Sequence, residues 1–117
     1  MTGAFLAHLH DLFGDAGAVT TRAMFGGHGV YLDGLIVGIV IGEALYLKTD
    51  ALTRARFVAA GSAPFVHVGQ KKPIETSYWS VPDAALESAQ AMRPWVALAL
   101  EAALRKRAAT RPRVRRR

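Results

Sequence analysis

The sequence predicts an α+β fold: a two-layer domain, with an antiparallel sheet of about five to six strands and helices packed on one face. Three observations predict it. The one uninterrupted apolar run, Leu35 to Ile41, is rich in Ile and Val and suits a central strand covered on at least one face. Tight-turn pairs bracket that run, Asp33-Gly34 before it and Gly42-Glu43 after it. Asp-Gly favours a type I′ turn and Gly-X a type II′ turn, so the run reads as the middle of a meander. Segments with helical spacing stand before, between and after the strands, which gathers helices over one face of the sheet.

The elements follow in order. Phe5, Leu9, Leu12 and Phe13 recur at helical spacing with Leu6 beside them, which predicts a helix over 3–13 with Thr2 as its cap. Gly14 and Gly17 end it. His8 and His10 flank the apolar stripe and point in different directions, so they share no metal and read as surface or boundary residues. A strand is predicted over 19–25, and the Gly26-Gly27-His28-Gly29 run is expected to break regular structure. The meander then occupies 29–32, 35–41 and 44–48.

Thr49 or Asp50 caps a second helix over 51–60, closed by Gly61 as a left-handed residue. Leu52, Ala55 and Ala59 form its expected inner stripe, with Phe57 off that line. Residues 64–68 make a short strand, 69–73 a basic loop, and 75–81 an alternating strand rich in β-formers that Pro82 stops. Asp83 caps a short helix over 84–91. A last helix starts near Pro94, which fits a first turn because no N–H is needed there. Trp95, Leu98, Ala99 and Ala102 share one face of it, and Val96, Leu100, Ala103 and Leu104 form a second stripe. A helix apolar on two sides is either deeply buried or meets a partner. Val96, Leu100 and Leu104 are therefore the expected dimer contact.

Length, at 117 residues, fits one domain, and 51% hydrophobic residues suffice for a core. There are no cysteines, which excludes disulfides and thiolate sites. The first residues lack a basic and apolar leader pattern, and the longest apolar run is far short of the ~20 residues of a membrane span. A cytoplasmic protein without membrane contact is expected. The net charge of +6 is unevenly placed. Residues 1–104 hold seven Lys/Arg against nine Asp/Glu, a net of −2, whereas residues 105–117 hold eight Lys/Arg and no acid, a net of +8. The chain thus divides into a body, 1–104, and a basic tail, 105–117, that continues the last helix at its start and is disordered beyond it.

The run Arg22-Ala23-Met24-Phe25-Gly26-Gly27-His28-Gly29-Val30-Tyr31 resembles the amino-terminal domain of the TfoX/Sxy family of competence regulators. The resemblance continues through Tyr46-Leu47-Lys48, Asp50, Phe57, Gly61, Pro64-Phe65, Tyr78-Trp79-Ser80-Val81-Pro82 and Trp95. It spans about residues 5–105, nearly the whole body. It implies the small α+β fold of that family, in a stand-alone form whose basic tail stands where longer members carry a second, helical domain. It implies no catalytic residue.

Candidate sites follow from the charge pattern. Arg105, Lys106, Arg107, Arg111, Arg113, Arg115, Arg116 and Arg117 can neutralise phosphates and release counterions, so non-specific, salt-sensitive nucleic-acid binding is expected. No aromatics interleave for base stacking, so sequence readout is not expected. Arg22, Gly26, Gly27, His28 and Lys48 form a candidate ligand groove. As a phosphate loop the glycines lack a following helix, and a structural role, letting backbone pass close to Met24 or Phe25, suits them better. No nucleophile elbow, H-E-x-x-H or P-loop is present, so no catalytic residue, cofactor or metal is expected. The expected role is a non-enzymatic regulatory and interaction module, related to transcription or competence, that binds a protein partner or a second copy and touches nucleic acid through its tail. The alternative is a small-molecule-binding or enzymatic domain using the groove near Arg22, His28 and Lys48.

Overall fold

The computed structural model describes residues 3–14, 16–24, 26–68 and 73–110 of the chain. The elements run α1 (Gly3–Phe13), β1 (Val19–Met24), β2 (Gly27–Leu32), β3 (Leu35–Ile41), β4 (Ala44–Lys48), α2 (Arg54–Ala59), β5 (Pro64–Val68), β6 (Pro73–Ser80), a 3-10 helix (Asp83–Glu87) and α3 (Ala89–Thr110). The six strands form one antiparallel sheet in the order β1-β2-β3-β4-β6-β5. The α+β class and the order of elements are those the sequence predicts.

Turn chemistry builds the meander. Asp33 and Gly34 both have positive φ, 51° and 84°, as a type I′ turn requires. At the next turn Gly42 alone has positive φ, 62°, which fits type II′. Asp33 does a second job: its Oδ1 accepts from the Ala18 N–H at 2.8 Å and fixes the entry into β1.

The core lies between the sheet and the helices. Val30, Leu32, Val37, Val40, Leu45, Leu47 and Trp79 meet Leu9, Leu12 and Phe13 of α1 and Met92, Val96 and Ala99 of α3 in one buried cluster. α3 packs on β3 and β4, while α1 and the 3-10 helix pack on α3. Both apolar stripes of α3 are therefore covered from within the chain, except at Leu104. Val96 is 2% exposed and Leu100 packs against the core, so of the three expected dimer contacts only Leu104, at 41%, stays on the surface.

Three local expectations are corrected. The Gly26–Gly29 run does not break the sheet: Gly27, His28 and Gly29 belong to β2 and pair with Met24, Ala23 and Arg22. Leu52 is 73% exposed, and Ala55 and Ala59 are exposed too, whereas Phe57 is fully buried. The helix begins only at Arg54, so Leu52 sits in the preceding turn and the helical spacing counted from it does not apply. The last helix begins at Ala89 rather than near Pro94, with the Ser88 Oγ accepting from the Ala91 N–H at 3.0 Å as its cap. Pro94 lies inside it, and the predicted helix over 84–91 is the short 3-10 turn followed by the start of α3.

Elsewhere the local logic holds. Gly14 and Gly61 leave their helices with φ of 58° and 84°. Asp50 caps the turn into α2: its Oδ1 accepts from the N–H groups of Leu52 and Thr53, and the Thr53 hydroxyl oxygen accepts from the Asp50 N–H at 3.0 Å. Thr2, Phe25, most of the basic loop (69–72) and the tail from Arg111 to Arg117 lie outside the described residues.

Candidate functional site

Two surfaces of the fold carry chemistry. The first is the sheet face away from the helices. Val30 pairs with Gly38 and Tyr31 with Ile36, which leaves Val37 as an extra residue in β3. That bulge resets the alternation of the strand. Leu35, Val37 and Val40 serve the core, while Ile36, Ile39 and Ile41 line a cleft on the open face. The cleft has a volume of about 490 Å³, and Met24, Phe65, His67, Thr76 and Tyr78 also border it. Tyr46 and Phe65 meet there with ring centroids 5.1 Å apart. Gly27 and Gly29 keep its floor close to backbone. A Cβ on Gly27 would sit 2.1 Å from the Val40 carbonyl oxygen, and one on Gly29 would sit 2.8 Å from Met24 Cε. The glycines thus do what the sequence suggests, admitting a close neighbour, but inside a paired strand.

The second surface is a basic corner where the end of α3 passes the β4–α2 connection. Arg105 donates Nε to Asp50 Oδ2 at 2.6 Å and Nη2 to Asp50 Oδ1 at 3.0 Å. Glu101 lies 3.8 Å from the same guanidinium. The hydrogen bond from Arg105 holds the Asp50 carboxyl below its ordinary range; desolvation opposes it, and the Arg105 charge and two backbone N–H groups add to the lowering. These are the only side chain–side chain hydrogen bonds among the described residues.

Beside this clamp the cations are unpaired. Lys48, Arg54, Lys106 and Arg107 make no ion pair among the described residues. Lys48, Arg54 and Lys106 border a cleft of about 350 Å³ together with Thr49, Ser77 and the Asp50–Arg105 pair. Lys48, Lys106 and Arg107 border an adjoining cleft of about 420 Å³, with Tyr31 and Tyr78. Burial lowers the pKa of the Lys48 ammonium, the neighbouring Lys106 charge lowers it further, and Asp50 opposes both. Lys48 Nζ lies 5.0 Å from the Tyr78 ring centre. Burial raises the Tyr78 phenol, and Tyr31 adds to the rise.

The expected ligand groove is not assembled as the sequence suggests. Arg22 is on β1 and Lys48 on β4, with β2 and β3 between them. Arg22 is exposed and lies over the Tyr31 ring, 5.6 Å from its centre. Gly26 turns at φ 77° and Gly27 is packed against β3. His28 borders the open-face cleft instead: it is half-buried, with Nδ1 buried and unpaired among the described residues. Of the expected nucleic-acid residues, Arg105, Lys106 and Arg107 are helical and on the body, and the other five lie outside the described residues. Sequence reasoning missed Arg54 and the meeting of Lys48 with Lys106. Nothing in the sequence pairs residues 58 positions apart; only the cap role of Asp50 was legible.

No described helix is long and apolar enough to cross a membrane. A family model described as the TfoX N-terminal domain matches residues 11–103. A search of curated proteins found no match.

Proposed function

The chain belongs to the TfoX N-terminal domain family, and on that premise we propose that it is a regulatory and interaction module without catalytic activity, serving transcription or competence control from the cytoplasm. It binds a protein partner or a second copy, and it contacts nucleic acid non-specifically through its Arg-rich C-terminal segment. One observation carries the nucleic-acid part. α3 continues unbroken from the core to Thr110, so Arg105, Lys106 and Arg107 stand on a helix that the Arg105–Asp50 pair fastens to the body. Cations held on a rigid stem meet a phosphate backbone at a smaller entropic cost than cations on a free chain.

The test is a mobility-shift titration of a DNA duplex of arbitrary sequence. It compares the intact chain with a full-length variant in which Arg111, Arg113, Arg115, Arg116 and Arg117 are all glutamine. The intact chain is expected to bind, and to lose affinity steeply between about 50 and about 200 mM salt, as counterion release requires. The variant is expected to bind much more weakly. Equal, salt-insensitive binding by both, or none by either, removes nucleic acid from the function.

A further inference from the structure

We infer that the cleft between Lys48, Arg54 and Lys106 is a phosphate seat on the folded body, filled by a backbone phosphate of the nucleic acid that the C-terminal segment attracts. This rests on the nucleic-acid reading above and adds to it an ordered contact with defined geometry.

The argument starts from an unfavourable arrangement. Lys48 is partly buried, so its ammonium has lost some of its water, yet its nearest charged neighbours include another cation, Lys106. The one carboxylate at the cleft, Asp50, is already engaged by two of the three donor nitrogens of Arg105. Among the described residues Arg54 and Lys106 are unpaired as well. Cations gathered this way repel one another and are stabilised when an anion enters between them. The cleft volume of about 350 Å³ has room for a phosphodiester and its waters.

The neighbours of the cleft favour phosphate over an apolar ligand. Thr49 and Ser77 face it, and the Thr49 hydroxyl donates to the Ser77 carbonyl at 2.9 Å, which fixes that wall. The Asp50–Arg105 pair forms another wall, so the cleft shape is held by a charge-assisted clamp rather than by mobile chains. Lys106 also borders the second cleft, where Arg107 and Thr110 lead to the C-terminal segment. A phosphate backbone that meets Arg107 on the last helix therefore has the seat beside it, through the shared Lys106.

The experiment measures DNA-duplex affinity of the full-length chain by anisotropy across a salt series, beside the variants K48Q/K106Q, Lys106→Gln and Arg93→Gln. Arg93 is an exposed cation near the start of α3, roughly 20 Å along the helix from Lys106. Each lost phosphate contact should lower the slope of log affinity on log salt by about 0.9, so the double variant, which empties a seat for one phosphate, is expected to lose about 0.9 and Arg93→Gln almost nothing. Melting curves confirm that each variant is folded, and Lys106→Gln, being exposed, keeps the test usable if the double variant is not. Amide NMR of the intact chain supplies the second reading. The same DNA should shift Thr49, Asp50 and Ser77, and the double variant should not respond.

An unchanged slope, or an equal loss on Arg93→Gln, overturns the seat while leaving general nucleic-acid binding in place. If inorganic phosphate shifts those amides and DNA does not, the source is a free phosphate ion and the inference fails as stated. If neither shifts them, it fails outright. If the intact chain does not bind DNA at all, this inference and the nucleic-acid part of the proposed function fall together.

Discussion

Arg105 and Asp50, 55 positions apart, are joined by two parallel hydrogen bonds of 2.6 and 3.0 Å. The pair ties the last helix to the corner where β4 gives way to α2. It also separates the basic residues into two kinds: Arg105 holds the fold, and Lys106, Arg107 and Lys48 keep their charges available.

Asp50 therefore carries two separable loads. Asp50→Ala removes the cap on Leu52 and Thr53 as well as the clamp, and the cap alone is worth about 1 kcal/mol. Asp50→Asn keeps an acceptor oxygen and loses the charge. Because the folded carboxyl is held below its ordinary value of 3.8, its contribution is fully present above that value and is lost as pH falls below it. The melting difference between the intact chain and Asp50→Asn is expected at neutral pH, smaller at high salt, and absent in strong acid. Thermal melts across pH check it.

Phe57 anchors α2. It is fully buried and meets the Trp95 ring edge-on, centroids 5.0 Å apart. Phe57→Ala is expected to cost about 3–5 kcal/mol in a denaturant titration. Leu52→Ala, at a residue 73% exposed, is expected to change stability by under about 0.5 kcal/mol.

The glycines of the second strand are expected to differ sharply. Gly27→Ala drives a methyl into the Val40 carbonyl, which is backbone and cannot step aside. The chain should fail to fold or melt far lower. Gly26→Ala meets open space but needs φ near 77°, a strain of about 1–2 kcal/mol. Circular dichroism melts of the two variants separate a packing requirement from a conformational one.

Self-association, if it uses the last helix, must use its exposed end. Val96→Glu buries a charge in the core and is expected to unfold the chain. Leu104→Glu leaves the fold intact and should convert a dimer to a monomer in sedimentation equilibrium. A monomeric parent ends the self-association reading.

Local chemistry made much of this fold legible. Asp33-Gly34 and Gly42-Glu43 specify their turns through φ alone, and α1 follows from the spacing of Phe5, Leu9, Leu12 and Phe13. Such signals act within a few residues, so a linear reading captures them. Errors came where a local pattern met a tertiary choice. Short of Leu104, both stripes of α3 are buried because the sheet covers one side, and α1 and the 3-10 helix the other; no property of the helix itself reveals that. Gly27 and Gly29 are indistinguishable in sequence from a loop, and only pairing with β1 and the nearness of β3 explains them.

The sequence by itself determined the class, the order of elements, the turn types and the uneven charge, because each depends on neighbours along the chain. Only the tertiary structure decided which cations are spent and which are free. Charge–charge energy depends on distance through space, and folding brings Arg105 to Asp50 and Lys106 to Lys48 across more than fifty residues of chain.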